Sequence, residues 1–274
     1  MGRSVMRKPL NPNFPSGTRN RFGRSRLGGG VTPTNSNTRI MTPPRVPDVP
    51  ATRQLSAVVN MGLNSERARG MMVQRLQEQG ITNQKVLAAM MAVPRHIFVD
   101  QGLASRAYED AALPIGYGQT ISQPWIVARM ISAVCEKGVP ARVLEVGGGC
   151  GYQAAVLAQL CREVYVIERI RGLYDHARQR LRDLGLVPPI RFVHGDGMLG
   201  MPSAAPFDAI IVAAAGIEIP QTLAQQLAVG GRLIAPEGAA AQRLILLERT
   251  GANSWERAEL ESVRFVPLRG GVQS

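Results

Sequence analysis

Arg142-Val-Leu-Glu145-Val-Gly147-Gly148-Gly149-Cys150-Gly151-Tyr152 reads as an apolar strand carrying a carboxylate, then a turn crowded with glycine, then the start of a helical run that continues from Gln153 to Leu160. Twenty-three residues after Glu145 a second apolar run, Val164-Tyr-Val-Ile167, ends on Glu168. Glycine lets the backbone turn tightly and approach a ligand closely, and a carboxylate at the end of the next strand accepts hydrogen bonds from both hydroxyls of a ribose. The pattern describes a nucleotide or nucleoside site and leaves two cofactor classes open. Residue 152, the third glycine position of G-x-G-x-x-G counted from 147, is Tyr, which weakens the nicotinamide reading. Glu145 ahead of the glycines suits a ligand with positive charge near the loop better than a pyrophosphate. S-adenosylmethionine, with its ammonium and sulfonium, is such a ligand.

Working outward, strand and helix patterns alternate from residue 142 onward, the signature of a parallel sheet covered on both faces. Strands are expected at 142–146, 164–167, 190–193, 208–213 and, after a Gly230-Gly231 turn, 232–235, with helices between them at 171–184 and 219–228. The segments 243–248 and 260–266 have no helical pattern between them and read as an antiparallel pair. The fold class is α/β: a doubly wound, mostly parallel, seven-stranded, Rossmann-like sheet with an N-terminal helical subdomain. In that subdomain Asn64-Ser65 is expected to cap a helix through Met71, Met72 and Leu76 to a stop at Gly80, and Thr82-Asn83 another through Val86, Leu87, Met90 and Met91 to Pro94. The methionines read as core filling. A further helix is expected from Trp125 to Val134, after a loop at 114–124 of unusual composition.

At 274 residues and 45% hydrophobic, the chain is large enough for one substantial core. No apolar run reaches the roughly 18 to 20 residues that span a bilayer, so no membrane partner is expected and the reading is cytoplasmic. The three cysteines, Cys135, Cys150 and Cys161, lack C-x-x-C spacing, and His96, His176 and His194 are scattered. Neither a disulfide framework nor a metal site is indicated. The net charge of +12 is uneven: residues 1–53 hold ten Lys or Arg and one acid, Asp48. This Pro-, Gly-, Asn-, Ser- and Thr-rich segment carries too little apolar surface to offset its ordering entropy. The organisation read is therefore a basic disordered tail over 1–55 and one domain over 56–274, divided into a helical substrate-loop part (56–135) and a cofactor-binding sheet (136–274). Non-specific contact of the tail with polyanions is the extent of nucleic-acid binding expected.

In an open parallel sheet, ligands sit beyond the carboxyl ends of the strands where the winding reverses. Three turns converge there: 147–151, the one at Glu168, and His194-Gly195-Asp196-Gly197. Asp196 has the chemistry to accept from an adenine amine, and small Gly197 leaves its amide open to a ring nitrogen. Ser122, two residues before Pro124, has two readings: a cap for the helix behind it, or a group that holds an acidic substrate at the helix N-terminus.

The stretch Ala112-Leu-Pro-Ile-Gly-Tyr-Gly-Gln-Thr-Ile-Ser-Gln-Pro-Trp-Ile-Val-Ala-Arg-Met130 closely resembles the signature of protein-L-isoaspartate O-methyltransferases. Val93–Asp100, Val143–Ala158, Val166–Ile170, His194–Gly197, Ala205–Val212 and Val263–Leu268 resemble the same family in order and spacing, so the likeness spans about residues 65–270. The resemblance implies an S-adenosylmethionine-dependent carboxyl methyltransferase that forms S-adenosylhomocysteine, needs no metal, and acts on isoaspartyl-containing peptides and proteins. Ser122 would be its active-site serine, with Gln119, Thr120 and Ile121 beside it. Glu145, Gly147, Gly149 and Gly151 would form the cofactor loop, Glu168 would hold the ribose, and Asp196 with Gly197 the adenine. Arg264, Phe265 and Val266 would supply contacts to the peptide, and the enzyme is expected to be a monomer. Gly148 and Cys150 stand where the family usually has Thr or a similar residue and Ser, and Ala213-Ala-Ala215-Gly216-Ile217 replaces a more usual Thr-Ala-Ala-Pro-Pro. Two other functions compete. A nucleic-acid methyltransferase of the amino-group type carries an Asn/Asp-Pro-Pro-aromatic stretch after the fourth strand, unlike Ala213–Gly216; a cofactor-binding module without turnover is the second.

Overall fold

The computed structural model describes residues 51–186 and 190–274, with the backbone alone for residues 51–64. The tail expected over 1–55 lies outside the described residues as far as Pro50. From there the chain is helical: α1 spans Ala51–Glu78, so the start expected at Asn64-Ser65 falls inside it, as does the boundary at residue 56. No proline stands between Pro50 and Pro94, and single Asn, Ser or Gly residues cost a helix interior only about 1 kcal/mol or less each. Nothing at 64–65 therefore forces a break. Gly80, at φ +93°, ends the helix as Ile81 N–H donates to Leu76 O at 3.0 Å.

Helix α2 (Gln84–Ala92) is capped by Asn83, whose side chain accepts from Lys85 N–H at 3.1 Å and Val86 N–H at 3.3 Å. Helix α3 spans Pro124–Val134. Met72, Leu76, Val86, Leu87 and Met90 are buried where these helices meet, but Met71 is 61% exposed. Adjacent helical residues point about 100° apart, so only one of Met71 and Met72 faces the core. Between α2 and α3 two short 3-10 turns (95–98 and 101–106) lead into a hairpin, β1 (Leu113–Gly116) and β2 (Gln119–Ile121). The segment read as a loop is thus largely a two-stranded ribbon.

The main sheet comprises β3 (Arg142–Val146), β4 (Glu163–Glu168), β5 (Ile190–His194), β6 (Phe207–Val212), β7 (Leu227–Glu237), β8 (Gln242–Gly251) and β9 (Ser254–Val263). Their order across the sheet is β5-β4-β3-β6-β7-β8-β9. The strands from β5 to β7 are parallel, while β8 and β9 form an antiparallel pair with β8 against β7; the pair is as expected, but its second strand begins at Ser254 rather than 260 and ends at Val263, so 264–266 lie beyond it. Helices α4 (Tyr152–Leu157), α5 (Arg171–Asp183) and α6 (Gln221–Gln225) connect them. Alternate residues of each strand enter opposite cores: Val143, Val164, Ile211 and Ile234 pack on the side of α2, α3 and α4, whereas Leu144, Tyr165, Ile210 and Leu233 pack with Leu223 and Leu227. A period of two puts successive side chains on opposite faces. Gly230-Gly231 is not a turn before the fifth main-sheet strand but an irregularity within β7: Phe207 pairs with Leu227 while Ala209 pairs with Arg232. Gly230 has φ +82° and a Cβ on Gly231 would lie 3.0 Å from Phe207 O, so both positions require glycine.

Buried Arg232 ties this sheet to α3, donating to Ala133 O at 2.9 Å and pairing with Glu136 and Glu248. The winding reverses at β3, with β4 on one flank and β6 on the other.

Candidate active site

Beyond the carboxyl end of β3 the chain makes its glycine turn. Gly147, Gly149 and Gly151 have φ of +86°, +52° and +86°, conformations that side chains rarely adopt. Gly147 and Gly148 N–H both donate to Ile167 O, at 2.9 and 3.1 Å. A Cβ on Gly148 would come within 2.4 Å of Val166 Cγ1 and 2.6 Å of the Phe192 ring, which is the physical reason no larger residue stands there. Gly151 faces α5, where a Cβ would meet Leu181 and Ala177 at 3.3 and 3.4 Å; it does not line the cavity.

That cavity, of about 360 Å³, lies between the glycine turn and the β1–β2 hairpin, within the size range of small-ligand sites. Among its walls are Glu145, Gly147, Gly149, Glu168, Gly197, Gln119, Thr120, Ile121, Ser122 and Val266. Residues distant in sequence thus meet in one space.

The two acids differ in their partners. Glu168 is satisfied by backbone: Oε2 accepts from Gly149 N–H and Oε1 from Ile170 N–H, both at 2.8 Å. Glu145 is 1% exposed and its Oε2 has no hydrogen-bond partner among the described residues. Burial, and secondarily the nearby Glu168, raises the Glu145 carboxyl well above its ordinary range.

Ser122 does not cap α3. The cap residue is Gln123, without a side-chain bond, and Asp110 Oδ1 instead accepts from Trp125 N–H at 3.1 Å. Asp110 lies fifteen residues upstream of Trp125, beyond the window in which a cap is read from sequence. Freed from that duty, Ser122 lines the cavity.

Asp196 does not line this cavity; it borders a neighbouring hollow beside β5. Its Oδ1 accepts from Met198 N–H at 2.9 Å and its Oδ2 from Gly271 N–H at 2.7 Å, so it anchors the C-terminal segment. Gly197 is there because a Cβ would lie 2.4 Å from Val146 Cγ1. Arg264 and Phe265 are likewise outside the lining, whereas Val266 is in it. Gln242 holds both backbone groups of Phe265, donating to its carbonyl at 3.2 Å and accepting its N–H at 2.7 Å, while Val266 O accepts from Ala215 N–H at 2.8 Å.

Sequence reasoning missed several wall residues. Tyr117 at the hairpin tip and Arg269 and Gln273 in the C-terminal segment all line the cavity. Gln273 N–H donates to Arg169 O at 2.8 Å, and Arg171 N–H donates to Gln273 O at 2.9 Å. The flanking glycines of Gly116-Tyr117-Gly118 are a readable signal of a turn tip at Tyr117; the C-terminal segment offers none. Cys150 also lines the cavity but is buried, and burial raises its thiol above the ordinary value. Among the described residues no group of three or more His, Cys, Asp or Glu is placed to hold a metal, and no helix is long and apolar enough to cross a membrane.

The donor set fits S-adenosylmethionine. A buried carboxylate oxygen with no partner calls for a ligand that brings hydrogen-bond donors or positive charge. The lone pairs of Glu168 not used by Gly149 and Ile170 remain for hydroxyls, and the glycine turn offers close backbone approach.

Residues 67–273 match the family model described as protein-L-isoaspartate(D-aspartate) O-methyltransferase. A protein-L-isoaspartate O-methyltransferase of Bordetella parapertussis is 65% identical over 271 residues, covering 98% of this chain and all of that one. One from Burkholderia ambifaria is 57% identical over 213 residues, 77% of this chain and 68% of its own. Among solved structures, a Plasmodium falciparum protein described as a beta-aspartate methyltransferase, in complex with S-adenosyl-L-homocysteine, is 25% identical with a TM-score of 0.64, covering 73% of this chain and 98% of that one. A second, titled protein-L-isoaspartate O-methyltransferase, is 28% identical with a TM-score of 0.67, covering 74% and 67%.

Proposed function

The chain belongs to the protein-L-isoaspartate(D-aspartate) O-methyltransferase family, and we propose on that premise how its own residues share the work. It is an S-adenosylmethionine-dependent carboxyl O-methyltransferase acting on isoaspartyl residues of proteins. Bound S-adenosylmethionine supplies an electron-poor methyl carbon. Glu145 and the turn at Gly147 and Gly149 hold the charged end of that ligand, and Glu168 holds the ribose. Gly197 lies against the adenine, with Asp196 fixing the adjoining turn.

On the other wall, Ser122 with Gln119, Thr120 and Ile121 orients the substrate acid, and the Val266 backbone steadies the peptide. Gly151, Arg264 and Phe265 act from outside the cavity, by keeping α5 and the C-terminal segment in place. The substrate carboxylate is already ionised near neutral pH, so no residue needs to remove a proton. The chain contributes position: one carboxylate oxygen held at near-attack distance from the methyl group. Methoxide leaves the ester carbonyl far more readily than hydroxide leaves the acid, so the adjacent backbone nitrogen closes a succinimide with loss of methanol, and hydrolysis of that ring returns some normal aspartate without enzyme.

The observation that carries this division is the single cavity shared by Glu145, Glu168 and Ser122. Labelled S-adenosylmethionine offered with an isoaspartyl peptide, its aspartyl twin and RNA tests it. Label on the isoaspartyl peptide alone is expected; label on RNA would support a nucleic-acid methyltransferase, and none at all a module without turnover. The proposal also takes the enzyme as monomeric and cytoplasmic, a setting consistent with its three free, buried cysteines. The basic tail is assigned no more than non-specific contact with polyanions.

A further inference from the structure

The tip of the β1–β2 hairpin is built against backbone preference. Gly116, Tyr117 and Gly118 have φ of +89°, +54° and +67°, three consecutive left-handed residues of which only the outer two are glycine. A non-glycine residue there costs roughly 1 kcal/mol or more, and such an outlier near a site points to a use for its side chain. Tyr117 is 52% exposed yet lines the cavity, so burial in a core does not explain it.

Its contact across the cavity does. A Cβ on Gly172, in the first turn of α5, would lie 1.9 Å from the Tyr117 hydroxyl oxygen and 2.4 Å from the ring carbon that bears it. The phenol therefore rests on the backbone of α5 in space that only glycine leaves open. Two residues before Tyr117, Ile115 Cδ1 stands 3.2 Å from where a Cβ on Gly149 would be. The ribbon thus bridges the glycine turn and α5, the two elements that flank Glu168, and each contact depends on a missing side chain.

We propose that Tyr117 is the retaining residue of this cavity: seated on Gly172, it holds the hairpin down over the nucleoside ligand and sets how slowly that ligand leaves. This rests on the cavity being the S-adenosylmethionine site. Closing a cavity by one aromatic contact acts on dissociation more than on association, so it controls product release as well as cofactor retention.

The test uses the full chain with S-adenosylhomocysteine as probe, reading the release rate by stopped flow or surface plasmon resonance. Tyr117→Ala is expected to raise that rate roughly tenfold, the scale of one lost aromatic contact. Gly172→Ala should raise it comparably, because the added methyl displaces the flexible phenol and not the helix, which alanine favours. The double variant Tyr117→Ala/Gly172→Ala should release no faster than Tyr117→Ala alone, since both changes remove one contact. An unchanged rate in Tyr117→Ala overturns the proposal even if Gly172→Ala folds poorly. So does a Gly172→Ala effect that persists in full in the Tyr117→Ala background, which would place its action in α5. If the unaltered protein fails to bind S-adenosylhomocysteine, it is the assignment of the cavity that falls.

Discussion

Strands β3 and β4 each present a carboxylate to the same cavity near their carboxyl ends, but the fold supplies backbone donors to both oxygens of only one of them. Both oxygens of Glu168 accept backbone N–H groups at 2.8 Å, whereas Glu145, 1% exposed, keeps Oε2 without a partner among the described residues. The same division separates Asp110, which caps α3 through Trp125, from Ser122, which lines the cavity and does not cap. A satisfied buried polar group organises structure, and an unsatisfied one is a cost that a ligand relieves. The comparison separates residues that the fold holds in place by hydrogen bonds from residues of similar chemistry that it leaves unbonded.

It breaks most visibly at Glu168. Glu168→Ala leaves the Gly149 and Ile170 amides without their acceptor, at about 1–3 kcal/mol for each. The variant should melt several degrees lower and lose most affinity for S-adenosylhomocysteine. A melting temperature equal to that of the unaltered protein would remove Glu168 from the scaffold class.

Ser122→Ala should do the reverse: kcat for an isoaspartyl peptide falls roughly 10- to 100-fold, as expected for a misplaced reacting group, while melting and S-adenosylhomocysteine affinity stay put. A kinetic loss accompanied by a comparable loss of stability would show that Ser122 is structural after all.

Glu145 sharpens the contrast through pH. Its carboxyl is raised above the ordinary 4.5 by burial and then by Glu168, so the native state without ligand binds the proton more tightly than the unfolded chain. Its contribution is fully present below about pH 4.5 and is lost as pH rises through the raised native value. Glu145→Gln should therefore melt higher than the unaltered protein near neutral pH, with the gap closing as pH falls toward 4.5, and should bind S-adenosylhomocysteine more weakly. Thermal scans across that range decide it, and a gap independent of pH would defeat the assignment. The smallest effect is expected for Asp110→Ala, about 1 kcal/mol for a lost cap, with S-adenosylhomocysteine affinity unchanged by calorimetry.

Much of the sheet was legible because its signal is local. β3 lies where the apolar run placed it, and β4, β5 and β6 differ by one residue at each end or less. The strand β7 was read short because Gly230-Gly231 looks like a turn until Phe207 O closes on it from β6. Helix α1 was started late because a possible cap at 64–65 carries no force without a break before it. At the site, the glycine turn and the two acids were legible from spacing. That Gly151 faces α5, that Asp196 holds the C-terminal segment, and that Gln242 claims Phe265 were not, since each depends on a partner far along the chain.

The amino-acid sequence alone determined the strand and helix alternation, the presence of a glycine-rich turn at 147–151, and the placing of an acid near the carboxyl ends of β3 and β4, because these follow from backbone geometry and nearest-neighbour pattern. Tertiary structure alone decided which of those acids the fold itself supplies with backbone donors, that Asp110 and not Ser122 caps α3, and that a tyrosine closes on a glycine fifty-five residues away. Hydrogen-bond satisfaction and close approach are properties of pairs brought together by folding, and no periodicity in a single stretch of chain records them.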